Sequence, residues 1–256
     1  MSEPDLLHSE SDGVLTVTFN RPQKYNALTF AMLDQLQELA DKFREDDSLR
    51  VLLITGNGRY YSAGMDISAG LAPETDSGIE FRNWYRTAIH QLFDELEAIE
   101  KPIISAAQGP CLGGALEMAL SCDFRLAAES AAYGLPETNI GALPGSGGTS
   151  RLTRLVGVAE AKWLIMAAQT IDAQRALRVG LVHEVYADAE FLQRCQAFAR
   201  HLASLPREVL GMAKLTIESV KDLDRASARN IERMANTQLS QSQEHRDLVA
   251  KFLARK

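Results

Sequence analysis

Residues 13–20 (GVLTVTFN) alternate apolar and polar side chains, the two-residue period of a strand with one buried face. RPQKYNAL ends that run. From Thr29, a suitable N-cap, the apolar positions Met32, Leu36, Leu39 and Phe43 keep helical spacing. Residues 51–55 (VLLIT) are short, apolar and β-branched, so they read as a buried strand closed by Gly56-Asn57-Gly58. Residues 80–99 carry Trp84, Tyr85, Ala88, Ile89, Leu92, Phe93, Leu96 and Ile99 with charges between them, the pattern of one long amphipathic helix.

The stretch IISAAQGPCLGGALEMALSCD (103–123) predicts a buried strand over 103–107, a turn at Gly109-Pro110, and a helix from Gly113-Gly114 to about Ser121. Two short strands follow, over 123–127 and 131–135. The glycines at 145, 147 and 148 then forbid regular structure and feed a helix containing Arg151 and Arg154. Helices are predicted over 159–169 and 173–178, the latter capped by Asp172 and stopped by Gly180, and a last strand over 182–186. Beyond residue 188 only helical patterns remain, over 188–203, 206–221, 224–240 and 243–255. The change of pattern divides the chain into a mixed core, 1–187, and an all-helical C-terminal module, 188–256.

Composition narrows the function classes. The chain has 256 residues, 46% hydrophobic, enough for one large core, and its net charge of -7 argues against a nucleic-acid surface or an anionic membrane as partner. Three cysteines (Cys111, Cys122, Cys195) form no CxxC pair, which points to a reducing compartment without a disulfide framework or zinc. The histidines at 8, 90, 183, 201 and 245 lack metal-ligand spacing. No basic-then-apolar leader opens the chain, and no apolar run approaches the ~18 residues that cross a bilayer, so the expected setting is cytoplasmic, a soluble cytosolic or matrix-type protein.

Candidate chemistry centres on the helix after Gly113. A glycine-led helix leaves its first N–H groups free, and the absence of a β-carbon lets a ligand approach the backbone at Gly114. Glu117 follows three residues later, on the same face. A backbone donor for a developing negative charge and a carboxylate for moving a proton can therefore share one space. The helix reads equally well as an amphipathic one whose wet stripe is Gly113, Glu117 and Ser121. The loop RYYSAGMDISA (59–69) has a second glycine, Gly64, with Asp66 as a cap for the turn after it. Glu137 follows Pro136, a position where an acid often serves a helix's first turn. Neither GxSxG nor the dinucleotide-binding glycine pattern is complete in the loop at 145–150, which sets aside a serine hydrolase and a nicotinamide enzyme.

Five segments together resemble the enoyl-CoA hydratase/isomerase (crotonase) family: RPQKYNAL (21–28), YSAGMDI (61–67), GPCLGGALEMALSCD (109–123), LPETNIGALPGSGGTSRLTRLVG (135–157) and DAQRALRVGLVHEV (172–185). They occur in the family's order across most of the chain. The resemblance implies an α/β fold, a crotonase-like spiral of ββα units with a C-terminal all-helical trimerisation module. It also implies an acyl-CoA thioester substrate, no cofactor besides the coenzyme A of the substrate, and a homotrimer or dimer of trimers.

Carried over position by position, the thioester carbonyl would lie between the backbone N–H groups of Met65 and Gly114, a preorganised donor there contributing about 3 kcal/mol as enolate charge develops. Lys24, Ala63, Asp66 and Ile67, with Met65 and Gly114, would line the substrate path. Glu117 is implied as the base toward water and Glu137 as the proton donor to C2. The expected reaction is hydration of a trans-2-enoyl-CoA to a 3-hydroxyacyl-CoA. The alternatives are a delta3,delta2-enoyl-CoA isomerase, which needs a single base, and a non-catalytic CoA-thioester-binding subunit. Met65, Leu116 and the aromatic set Phe81-Trp84-Tyr85 depart from the common family pattern and bear on the acyl group rather than on the reaction.

Overall fold

The computed structural model describes residues 3–69, 73 and 75–254. Its main sheet joins β1 (Leu6–Ser11), β2 (Val14–Phe19), β3 (Val51–Gly56), β4 (Ile103–Ala107), β6 (Phe124–Ala128) and β9 (Glu184–Tyr186) in the order β1-β2-β3-β4-β6-β9. Only β1 runs antiparallel to its neighbour; the remaining pairs are parallel. A smaller sheet takes β5 (Cys111–Leu112), β7 (Ala132–Gly134) and β8 (Ile171–Asp172).

The two sheets explain the sequence's rhythm. β4 enters the main sheet, β5 the small one, and α4 (Gly114–Ala119) follows; β6 and β7 repeat the step and lead to α5 (Gly148–Ile165). Each ββα unit thus places one strand in each sheet and returns by a helix. This is the spiral implied by the resemblance.

Helix α1 (Phe30–Glu45) starts where expected, the Thr29 hydroxyl accepting the Met32 N–H at 3.2 Å. It buries Met32, Leu33, Leu36, Ala40 and Phe43. The main sheet is covered on both faces, which is why VLLIT shows no polar alternation. Leu52 and Ile54 join the core shared with α1 and with Phe93 and Leu96. Val51 and Leu53 face the other way, onto Phe191, Cys195, Ala199 and Leu202 of α7 (Phe191–Ser204).

The long helix expected over 80–99 is α2 (Gly78–Tyr85), a π turn (Arg86–His90) and α3 (Gln91–Ala98). Ser77 caps it by accepting the Glu80 N–H. α5 merges the two helices expected around residues 148–169 and breaks direction at Gly157 (φ 78°, ψ 166°). α6 (Ala173–Arg178) is capped by Asp172, as the pattern predicts.

The C-terminal helices are α7, α8 (Arg207–Val220), α9 (Arg225–Ser240) and α10 (Gln243–Leu253); the expected end at residue 255 lies outside the described residues. α8 is pinned to the core by Lys214, whose ammonium donates to the Leu96 carbonyl (3.1 Å) and to Asp123 (3.0 Å). α9 and α10 bury no residue at all. Among the described residues no helix is long and apolar enough to cross a membrane.

Candidate active site

The loop carrying Met65 is fastened along both edges. On one side Leu28 N–H donates to Gly64 O and Asp66 N–H to Leu28 O, both at 2.8 Å. On the other, Ser62 N–H donates to Pro110 O (3.1 Å) and Leu112 N–H to Ser62 O (3.0 Å). Gly64 sits at φ +93° and Gly113 at φ +54°, conformations that side chains disfavour. A β-carbon on Gly64 would stand 2.9 Å from Leu112 O and 3.3 Å from Gly114 N. The glycine lets the Met65 loop lie directly against the head of α4.

Met65 and Gly114 are therefore neighbours, a β-carbon on Gly114 coming within 3.1 Å of Met65 Cγ. Gly114 is the first residue of α4, and a helix has no internal acceptor for its first N–H groups. Both carboxylates reach the same backbone. A β-carbon on Gly113 would lie 3.0 Å from Glu137 Oε1, and one on Gly114 would lie 3.9 Å from Glu117 Oε2. The structure brings together, within one small volume, the four residues expected to act: Met65, Gly114, Glu117 and Glu137.

Glu117 is only 4% exposed, so it is no part of a wet stripe. Its Oε1 accepts the N–H groups of Ser146 (2.7 Å) and Gly148 (3.0 Å), leaving Oε2 toward the glycine backbone. Those amides come from the glycine cluster that the sequence showed only as an irregular loop. Gly148 permits the approach, since a β-carbon there would stand 2.8 Å from Glu117 Oε1. Burial pushes the Glu117 acid up to about 7 and outweighs the two amide donors, with the Glu137 charge adding to the rise. Glu137 rides on a 3₁₀ turn (Pro136–Ile140); burial raises it as well, and its Oε2 is buried without a partner.

The remaining expected positions have separate places. Lys24 is exposed on a 3₁₀ turn, Ala63 is half-buried with its N–H donating to Tyr25 O (3.0 Å), and Ile67 is exposed. Asp66 has both oxygens engaged: Oδ2 accepts Arg21 Nη1 at 3.0 Å, and Oδ1 accepts the Ser68 N–H at 3.2 Å and its hydroxyl at 2.6 Å. Together with the Arg21 bond to Ala27 O (2.6 Å), this holds the Met65 loop in place.

Three contributors were not singled out from sequence. Ser146 and Gly148 supply the amides, and Arg151 braces their loop from behind. The Arg151 guanidinium donates to Glu97 Oε2 (3.0 and 2.7 Å), Asp94 Oδ1 (2.6 Å) and Ser146 O (3.3 Å). Glu97 also accepts Lys221 Nζ from the end of α8, at 2.9 Å. The glycine spacing at 145–148 was the available signal, but a loop's amides do not reveal their target.

A family model described as "Enoyl-CoA hydratase/isomerase" matches residues 9–256. A short-chain-enoyl-CoA hydratase of Clostridium acetobutylicum is 34% identical over 249 residues, covering 96% of this chain and 94% of that protein. A 2,3-dehydroadipyl-CoA hydratase of Escherichia coli is 33% identical, with 98% of this chain and 96% of that protein covered. Among solved structures, an enoyl-CoA hydratase from Bacillus anthracis superposes with a TM-score of 0.91 at 30% identity, over 99% of this chain and 97% of that one.

Proposed function

This chain belongs to the enoyl-CoA hydratase/isomerase family, and on that premise we propose that it adds water reversibly to a trans-2-enoyl-CoA, giving a 3-hydroxyacyl-CoA. The observation that carries this reading is the convergence of the buried Glu117 and the half-buried Glu137 on the Gly113-Gly114 backbone beside Met65. Isomerisation would need only one of them.

In this mechanism the N–H groups of Met65 and Gly114 hold the thioester oxygen. Charge that moves onto that oxygen during attack at C3 meets fixed donors. Glu117 takes a proton from the attacking water, and Glu137 delivers one to C2. The carboxylates of Glu117 and Glu137, both beside the Gly113-Gly114 backbone, hold the water between them. The two acids act as a pair, because desolvation raises both and the Glu137 charge adds to the rise of Glu117. The reactive form carries one proton across the pair. Every step uses amide donors and proton transfer, so the coenzyme A of the substrate is the only cofactor chemistry required.

Lys24, Ala63 and Ile67 lie on the route by which the coenzyme would approach. Relatives of nearly equal identity are named for a short-chain and for a dicarboxylic acyl group, so likeness alone does not choose the acyl chain here. Residues 188–256 act as the assembly module of a homotrimer or a dimer of trimers. α7 is its foot on the sheet, and exposed apolar residues such as Met234 (65%), Val249 (42%) and Leu253 (62%) are its contact face.

The test is loss of the conjugated enoyl absorbance when crotonyl-CoA is added, with mass spectrometry for the added water. Hydration at an undiminished rate by Glu117→Gln would remove Glu117 from the base role. No hydration by the wild type of any enoyl-CoA, together with shift of a 3-enoyl double bond, would establish the isomerase instead.

A further inference from the structure

Helix α4 provides a scale along the substrate. The Gly114 N–H at its start is placed for the carbonyl, Glu117 stands one turn deeper, and Leu120 and Ser121 come at the next turn. At 1.5 Å per residue, Gly114 and Ser121 are about 10 Å apart along the axis. An acyl chain that passes Glu117 in this direction heads for Leu120 and Ser121. There the structure holds a cavity of about 710 Å³ whose walls include His90, Leu120, Ser121, Ser146, Leu210 and Ile217.

Ser146 links the acids to that cavity, and Tyr85 joins them through its bond to Ser146. Ser146 belongs to both spaces: its N–H is on Glu117 Oε1 (2.7 Å) and the residue lines the cavity. Its hydroxyl is hydrogen-bonded to the phenol of Tyr85 at 3.0 Å. The phenol lies over Gly145, where a β-carbon would stand 3.2 Å from Tyr85 Oη. Phe81 stacks on the Tyr85 ring at 5.7 Å and His90 meets it edge-on at 4.7 Å. The charges of Glu117 and Glu137 both add to the rise of the Tyr85 hydroxyl, which burial dominates, so the phenol is close to the reacting pair. The π turn begins at the next residue, Arg86, a backbone irregularity that often marks a functional position.

We propose that Tyr85, latched to Ser146, is the end wall of the acyl pocket and restricts this enzyme to short enoyl groups, and that the chamber behind it accepts a longer apolar tail once the ring is removed. The proposal rests on the acyl-CoA reading above and adds to it the residue that sets chain length. In the chamber, Leu210 and Ile217 on α8 and Leu120 supply apolar surface. Its charged groups already have fixed partners: Arg151 pairs with Asp94 and Glu97, Lys214 with Asp123, Arg154 with Asp222, Lys221 with Glu97 and Glu218, and Arg125 donates to the Leu181 and Cys122 carbonyls. A hydrocarbon tail entering it therefore strands none of these charges.

The experiment is the chain-length profile of kcat/KM for trans-2-enoyl-CoAs of four, six, eight and ten carbons, in the wild type, Tyr85→Ala and Tyr85→Leu. A pocket wall discriminates about tenfold or more per methylene it turns away. The wild type is expected to favour the four-carbon substrate over the ten-carbon one by at least about that factor. Both variants should shrink the ratio by about tenfold, mainly through a lower KM for the ten-carbon thioester. Tyr85→Leu retains apolar bulk for folding, and circular dichroism checks both variants. A flat wild-type profile overturns the proposal, as does an unchanged ratio in a folded variant. Calorimetric binding of butyryl-CoA and decanoyl-CoA reads the wall without turnover. If no enoyl-CoA is hydrated but the binding preference shifts in the variants, the hydratase reading fails and the wall stands; if the preference does not shift, the wall fails by itself.

Discussion

At the scale of single residues, Glu117 combines a cost with a use. Its acid is displaced from the usual 4.5 to about 7 because burial outweighs the Ser146 and Gly148 amides. The folded protein therefore holds a proton there that the unfolded chain releases between those two values. Above pH 7 the buried charge works against folding by about 3 kcal/mol, and below pH 4 the penalty is gone because both states are protonated. Glu117→Gln keeps an oxygen for the two amides and removes the charge. It should abolish hydration while raising the melting temperature at pH 8, with the gain fading toward pH 4, as thermal unfolding across pH would measure. The pH dependence of kcat/KM follows the pair: the reactive form holds one proton, so the rate should rise as the first proton leaves the two acids and fall as the second leaves, with one limb near 7. A profile already flat from pH 5 would exclude Glu117 as that base. Both acids were legible only through the family resemblance, since from the residues alone Glu117 could line a wet stripe and Glu137 could serve a helix's first turn. Which oxygen is held and which is free was not, because it depends on amides 29 and 31 residues away from Glu117.

At the scale of elements, the site is built where two fastened loops meet the start of a short helix. The glycine cluster at 145–148 illustrates what a pattern can and cannot give. Its composition declared an irregular loop, yet its work is to aim two N–H groups at a carboxylate. Gly148→Ala would place a β-carbon 2.7 Å from Pro144 Cβ and 2.8 Å from Glu117 Oε1. The expected result is a loss of kcat of about tenfold or more with little change in KM for crotonyl-CoA, since the base is displaced while the carbonyl donors stay. Steady-state kinetics at saturating substrate would check it. The longer strands and helices followed from their periodicity, including the caps at Thr29 and Asp172. β5 and β8 escaped because two residues carry no period, and β1 because only Leu6 of its six residues is buried. The π turn was invisible for a related reason: one additional residue in a turn barely disturbs an apolar stripe.

For the whole molecule, the pattern change near residue 188 located the helical end of the chain, but not that its first helix would seal the far face of the main sheet. α9 and α10 bury no residue in this chain and leave Met234 and Leu253 exposed, the surface on which the proposed assembly would close. Met234→Glu, at a site 65% exposed in this chain, should lower the solution mass from a trimer or larger assembly toward the monomer, as light scattering after gel filtration would show. An unchanged mass would place the contact elsewhere. The ion pairs behind Ser146 give such an assembly a route inward. Glu97 is gripped at once by Lys221, at the end of α8, and by Arg151, which also holds the Ser146 carbonyl. A displacement of α8 would thus pass through three side chains, Lys221, Glu97 and Arg151, to the amide on which Glu117 leans. If the proposed assembly bears on α8, crowding among protomers and the readiness of the acid to give up its proton become linked quantities, and dilution should then read out as a change of acidity before it reads out as a loss of fold.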